Sequence, residues 1–94
     1  MAAKKIKVTY VQTLFNRYIK ERDCGQGYYG TCVTCGRTLP TKSRALQAGH
    51  FLATGSHPAI RFDERNCHMQ CSVCNFQGSG EGAYYQDYML NTYE

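Results

Sequence analysis

The chain has 94 residues, a net charge of +4 and a pI near 8.8, which suits one small domain that a metal staple would help to stabilise. No apolar run is long enough to cross a membrane, and the start, Met1-Ala2-Ala3-Lys4-Lys5, carries no signal-peptide stretch, so a reducing cytoplasm is expected. Mild basicity favours a polyanion such as nucleic acid as partner, and six cysteines in that compartment favour metal over disulfides.

Residues 1–8 read as a basic arm and 9–23 as a helix. Val8, Val11, Leu14, Phe15, Tyr18 and Ile19 recur at three- and four-residue steps, with Arg17, Lys20, Glu21, Arg22 and Asp23 largely off the stripe. Thr9 is the expected cap and Gly25 the expected left-handed stop. Thr31-Cys32-Val33-Thr34-Cys35-Gly36 reads as a knuckle-like turn, and Arg37 to Arg44 as a polar loop broken by Pro40. Leu46 to Leu52 has strand character, Ala53 to Pro58 is a loop, and Ile60-Arg61-Phe62 reads as extended. A second strand is expected over Asn66 to Gln70, running into Cys71-Ser72-Val73-Cys74. Residues 83–93 read as a closing helix. Its Tyr84, Tyr85, Tyr88 and Met89 are expected on one face, serving as core or dimer contact rather than as a base-stacking platform. No repeat or linker divides the chain, so residues 1–94 read as one α+β domain with its centre at 32–78.

Cys32, Cys35, Cys71 and Cys74 form two Cys-x-x-Cys pairs, the pattern of a structural zinc site. Each pair lets a tight turn point two sulfurs at one ion, and two pairs complete a tetrahedron. Four thiolates leave no open position for water, so this zinc is expected to hold the fold rather than catalyse. Cys24 and Cys67 are then surplus and read as packed thiols, with His68 a substitute ligand should one pair be incomplete.

Between the pairs lie Gly49-His50-Phe51, His57 and Asn66, and Asn75 follows the last cysteine. A histidine at a strand end beside a metal-binding side chain is the minimum for metal-assisted phosphodiester hydrolysis: the imidazole takes a proton from water and a divalent ion polarises the phosphate. The arrangement resembles the ββα-metal, or HNH, nuclease motif, with His50 in the place of the general base, Asn66 as the structural asparagine opening the second strand, and Asn75 as metal ligand. More narrowly, the chain resembles the phage NinG (Rap) recombination endonucleases. That resemblance rests on Leu14-Phe15-Asn16-Arg17-Tyr18-Ile19-Lys20-Glu21-Arg22-Asp23, Cys32-Val33-Thr34-Cys35-Gly36, Ala48-Gly49-His50-Phe51, His57-Pro58, Arg61-Phe62, Asn66 through Asn75, and Ser79-Gly80.

The resemblance implies a small zinc-stapled HNH-type domain flanked by N- and C-terminal helices. It implies a DNA endonuclease acting on branched recombination intermediates, Holliday junctions or D-loops, in the host cytoplasm. The implied cofactors are a structural Zn2+ and a catalytic Mg2+ or Mn2+, with no nucleotide cofactor, and products carry 5′-phosphate and 3′-hydroxyl ends. Asn66 is expected to hold the loop bearing His50 through side-chain to backbone bonds. Arg61, Arg65, Lys42 and Arg44 are candidate phosphate contacts. The wider motif places Asp or His just before the base, as a metal ligand, whereas this chain has Gly49. His57 is the first candidate for that missing ligand, with Asp63 and His68 behind it. A homodimer would suit a two-fold junction. The rivals are a non-catalytic zinc-dependent nucleic-acid-binding module, a nicking endonuclease without branch specificity, and a zinc-stapled protein-interaction domain using its tyrosines.

Overall fold

The computed structural model describes residues 7–76 and 82–93. Most of the expected basic arm and the Ser79-Gly80 motif lie outside the described residues. Helix α1 spans Val8–Cys24. Thr9 is not its cap: the helix starts one residue earlier, from Lys7, without a side-chain cap bond, and Thr9 sits in the first turn with its carbonyl accepting from the Thr13 hydroxyl. Gly25 ends the helix at φ 57° and ψ −133°, donating its N–H to the Glu21 carbonyl at 2.7 Å.

Only part of the apolar stripe is used. Ile19 is fully buried with Phe15 packed beside it, while Val8, Leu14 and Tyr18 are exposed. The surface beneath is a two-stranded hairpin, too narrow to cover the whole stripe. Two charged residues off the stripe do structural work instead. Arg22 donates to the carbonyls of Glu64 (2.6 Å) and Cys67 (2.7 Å), and Lys20 to those of Ser43 (3.4 Å) and Leu46 (3.2 Å). They tie α1 to the ends of the strands it covers.

Strands β1 (Tyr29–Thr31) and β2 (Thr38–Pro40) pair antiparallel, Gly30 opposite Leu39. The expectation of a polar loop over 37–44 is thereby corrected. Pro40 is tolerated because it is the last strand residue. Three-residue strands are too short for alternation to register in the sequence.

Strands β3 (Leu46–His50) and β4 (Cys67–Cys71) form the second antiparallel pair, Leu46 opposite Cys71 and His50 opposite Cys67. β3 stops at His50, short of the expected Leu52, and β4 starts after Asn66. Asn66 is the cause: its carbonyl accepts from Phe51 N–H at 2.8 Å, and its side chain accepts from Leu52 N–H (2.9 Å) and donates to Leu52 C=O (3.0 Å). The side-chain amide replaces the strand's next rung. Nor is 60–62 extended. Pro58–Ile60 is a 3-10 turn, favoured by proline's fixed φ at its first position, and Arg61 stays helical. A second such turn, Glu64–Asn66, is capped by Asp63 accepting from Arg65 N–H.

Helix α2 (Ser72–Phe76) follows β4 directly, so β3, β4 and α2 make a strand–strand–helix unit. Helix α3 spans Gly82–Tyr93. All five β4 residues are buried because both faces of the hairpin are covered. Cys67 and Met69 pack with Ile19 and Leu46, with Cys24, Leu39 and Ala48 around them. His68 points the other way, into tyrosines of α3. The tyrosines do not form one face: Tyr85 is fully buried and Tyr84 is 70% exposed. Among the described residues, no helix is long and apolar enough to cross a membrane.

Candidate metal and active site

The first Cys-x-x-Cys lies in the turn joining β1 to β2, and the second at the junction of β4 and α2. Each turn folds its own amide back on sulfur: Cys35 N–H donates to Cys32 Sγ at 3.4 Å and Cys74 N–H to Cys71 Sγ at 3.5 Å. Gly36 closes the first knuckle at φ 79°, its N–H donating to Cys32 C=O at 2.9 Å, a backbone that side-chain-bearing residues rarely adopt. Val33 N–H reaches the Met69 carbonyl at 2.9 Å, which brings the two knuckles together. The four sulfurs all lie within 4.8 Å of one another, with Cys35 Sγ and Cys71 Sγ 3.8 Å apart. A zinc–sulfur bond of about 2.3 Å in a tetrahedron sets sulfurs about 3.8 Å apart. The cluster can therefore hold a metal ion such as zinc.

The thiol electrostatics agree. Burial opposes ionisation of Cys32, but amide donors of Cys35, Cys71 and Thr34 outweigh it and draw the thiol down to about 7. Burial and the neighbouring sulfurs push Cys74 up, as expected of thiols that ionise together only around a cation. Cys67 is outside the cluster, and burial raises it to about 12; with Cys24 it packs against α1 and the hairpin as the sequence suggested. His68 is not a substitute ligand, because both its ring nitrogens are engaged by tyrosines.

On the α1 side of β3, a cavity of about 300 Å³ is lined by His50, Ala48 and Asn75, by Thr54 and Arg61 of the connecting loop, and by Thr9, Gln12 and Asn16 of α1. His50 Nε2 lies 3.0 Å from the Arg61 carbonyl. A carbonyl only accepts, so Nε2 carries the proton and the lone pair of the neutral ring is on Nδ1. Burial holds this imidazole below the ordinary histidine value, the bond to the Arg61 carbonyl acts against that, and the Arg61 charge acts with it. Phe15 stacks on the ring at 6.3 Å between centroids.

Asn75 reaches the same cavity from α2. Its Nδ2 donates to Gln47 Oε1 at 2.9 Å, and its Oδ1 lies on the side of Gly49 where a Cβ would stand. A Cβ at position 49 would overlap the Gln70 amide oxygen and lie 3.0 Å from Asn75 Oδ1. Glycine therefore stands here because Gln70 and Asn75 occupy the space of a side chain. Hard divalent cations take oxygen ligands, and Asn75 Oδ1 is an oxygen of that kind, with Gln70 Oε1 beside it at Gly49.

The other candidates are distributed elsewhere. His57 is exposed, with Nδ1 3.0 Å from the Ser56 hydroxyl, and is not among the residues lining the cavity. Asp63 is engaged as a turn cap and in an ion pair with Arg65 at 3.1 Å. Lys42 and Arg44 are exposed on the loop before β3, away from the cavity lining. Asn66 lies behind the loop, not in the cavity. Sequence reasoning missed Thr9, Gln12 and Asn16. The available signal was the spacing of Gln12 and Asn16, uncharged polar residues one turn apart at the border of the apolar stripe.

These features define a small α+β domain in which two cysteine knuckles form a cluster able to hold a metal ion beside a polar cavity. The chain belongs to the NinG family: residues 2–93 match the family described as Bacteriophage Lambda NinG protein. It is similar to Protein ninG of Escherichia phage 933W, 39% identical over 84 residues, covering 89% of this chain and 38% of that protein. It is also similar to Protein ninG of Salmonella phage P22, 42% identical over 73 residues, and to that of Escherichia phage lambda, 41% identical over 73 residues. Each of those matches covers 78% of this chain and 32% of the relative. The chain thus spans well under half the length of these relatives. No solved structure matches it.

Proposed function

We propose that this domain carries the catalytic site of a metal-dependent DNA endonuclease of the HNH, ββα-metal, type, acting on branched recombination intermediates such as Holliday junctions and D-loops. The observation that carries the reading is the meeting of His50 and Asn75 in one cavity, on a strand–strand–helix frame, with His50 Nδ1 bonded to none of the described residues.

His50 Nδ1 accepts the proton of a water as its oxygen attacks phosphorus, the bond to the 3′ oxygen breaks, and that oxygen takes a proton from solvent to leave as the 3′-hydroxyl. The Arg61 carbonyl fixes the ring and its tautomer, so the base needs no reorientation. Asn75 Oδ1 would hold magnesium or manganese, which supplies charge neutralisation at the phosphate and the leaving oxygen. The guanidinium of Arg61 is a donor for a phosphate oxygen. Asn66 holds Leu52 and hence the strand end after His50, a positioning role. Branch selectivity rests on the family resemblance, and a homodimer would place two such sites on a two-fold junction.

The test compares wild type with His50→Ala on Holliday junctions, D-loops, forks and linear duplex, in magnesium or manganese. Wild type should cut a branched substrate, and the variant should lose roughly 10²–10⁴-fold in rate with zinc content and DNA binding unchanged. A wild-type chain that binds but cuts nothing would establish the non-catalytic binding module instead.

A further inference from the structure

Lys42 and Arg44 carry charge that the His50 cavity does not use. Lys42 lines a different groove, of about 620 Å³, with Tyr28, Tyr29, Pro40 and Thr41 of the β1–β2 hairpin. The hairpin turns one face to the core: a Cβ at Gly30 would meet Cys24 Sγ at 2.6 Å and Leu46 Cδ2 at 2.7 Å. Tyr29 and its cross-strand partner Pro40 take the opposite face and are exposed. Tyr28 is 87% exposed. Neither tyrosine stacks on another ring among the described residues.

The backbone under these rings is pinned. Tyr28 C=O accepts from Thr41 N–H at 2.8 Å, and Gly27 C=O from the Thr41 hydroxyl at 2.8 Å. A tyrosine has few torsions to fix, so binding on such a platform costs little ordering. The surround is basic. From Cys24 to Phe62 the chain has no Asp or Glu, and it carries Arg37, Lys42, Arg44 and Arg61. Arg37, Lys42 and Arg44 are exposed and, among the described residues, pair with no carboxylate. Asp23, just before this stretch, is forked by Arg22 at 2.7 and 3.1 Å.

Aromatic rings beside unpaired cations suit a polyanion that also offers flat faces. In a duplex the bases stack on one another and only phosphates are free to meet the surface. An unpaired strand offers both bases and phosphates. We propose that the groove of Tyr28, Tyr29 and Lys42 binds single-stranded DNA, with bases stacked on the tyrosines and phosphates on Lys42 and Arg44. The proposal rests on the DNA-binding part of the nuclease reading and needs no chemistry at His50. In a chain acting at branches, such a groove would hold the unpaired arm of a D-loop or fork.

The experiment is fluorescence anisotropy of a labelled oligo-dT and of a blunt duplex with the zinc-loaded chain, without magnesium or manganese so that nothing is cut. Tyr28→Ala should weaken oligo-dT binding by about fivefold or more and leave duplex binding unchanged. Tyr28→Phe, which keeps the ring, should bind as wild type does. Lys42→Ala should lower the slope of log K against log salt for oligo-dT by about 0.7, the value for one phosphate on a single strand. Far-UV circular dichroism should show the variants folded, since both side chains are exposed. Oligo-dT binding unchanged by Tyr28→Ala, or an equal loss on duplex, overturns the proposal. So does a wild-type dimer that Tyr28→Ala dissociates, which would assign the groove to a second copy of the chain. Duplex binding without oligo-dT binding overturns the groove and leaves the nuclease reading standing. Tyr28-dependent binding by a chain that cuts nothing in magnesium or manganese does the reverse.

Discussion

The cysteine cluster and the His50 cavity meet in the chain at Cys74 and Asn75, yet they are built in opposite ways. The cluster is closed: four sulfurs lie within 4.8 Å of one another, and each knuckle folds its own amide back on a sulfur. The cavity is open: its lining residues Gln12 and Arg61 each carry a buried polar atom with no partner among the described residues. The first is what a stabilising site needs, since every interaction is completed by folding and one ion. The second is what a binding site needs, since part of its hydrogen bonding waits for a ligand. Asn75 directly follows Cys74, so the staple positions the open site without taking part in it.

The comparison breaks most visibly at the staple. Cys71 belongs to the cluster and is also the last residue of β4, opposite Leu46. Cys71→Ser, or removal of the metal by a chelator, should unfold the domain, because such a site contributes on the order of 10 kcal/mol. That exceeds the net stability of many domains. Loss of far-UV helicity and of sigmoidal thermal melting is the expected result. A variant that melts like wild type would mean that the hydrophobic contacts suffice alone. His50→Ala, by contrast, should leave the melt intact and remove only cleavage.

How far the sequence disclosed this molecule depends on how strictly each feature constrains residue type. A tetrahedral thiolate site demands cysteines at a set spacing, so the four-cysteine cluster was legible in full. The motif spacing picked out His50 and Asn75, which the fold brings to one cavity, and Asn66, whose side chain ties Leu52. The cavity wall from α1 was not. Gln12 and Asn16 look like an ordinary solvated helix face, and only the packing of α1 on β3 brings them to His50. The β1–β2 pair escaped because three-residue strands carry no period, and α2 because it starts inside the knuckle. The tyrosine stripe was misjudged because helical spacing assigned Tyr84 and Tyr85 to one face, whereas burial separates them.

A smaller effect sharpens the contrast on the α3 side. Tyr85 donates its hydroxyl proton to Gly49 C=O at 2.8 Å, so the proton between Tyr85 Oη and His68 Nδ1, 3.2 Å apart, belongs to His68. His68 Nε2 then accepts from the Tyr93 hydroxyl at 2.8 Å. This chain of bonds requires neutral imidazole. Burial draws His68 down to about 4; the charge of Arg22 acts the same way, and Asp23 opposes it. A histidine with a depressed folded value contributes stability above its unfolded value near 6.5 and loses it as pH falls toward 4. The loss should total roughly 3 kcal/mol. Thiolate protonation also weakens the fold in acid, so the measurement is the difference in pH dependence between wild type and His68→Gln. The variant should show a shallower decline from pH 6.5 to 4. Parallel curves would show that His68 protonates without cost.

The smallest expected effect separates two arginines that sequence reasoning treated alike. Arg61 lines the cavity with an unpartnered Nε, while Arg65 is exposed and forked onto Asp63 through Nε at 3.2 Å and Nη2 at 3.1 Å. A cation already neutralised by its own carboxylate releases few counterions when it meets a phosphate. Arg61→Ala should therefore lower the slope of log K against log salt for duplex binding by about 0.9, the value for one phosphate contact. Arg65→Ala should lower it by less, and Asp63→Asn should raise it by freeing Arg65. Equal slopes for the two arginine variants would place the phosphate path over the loop surface rather than at the cavity mouth. The open site would then be reached by the metal but not by the backbone it is proposed to cut.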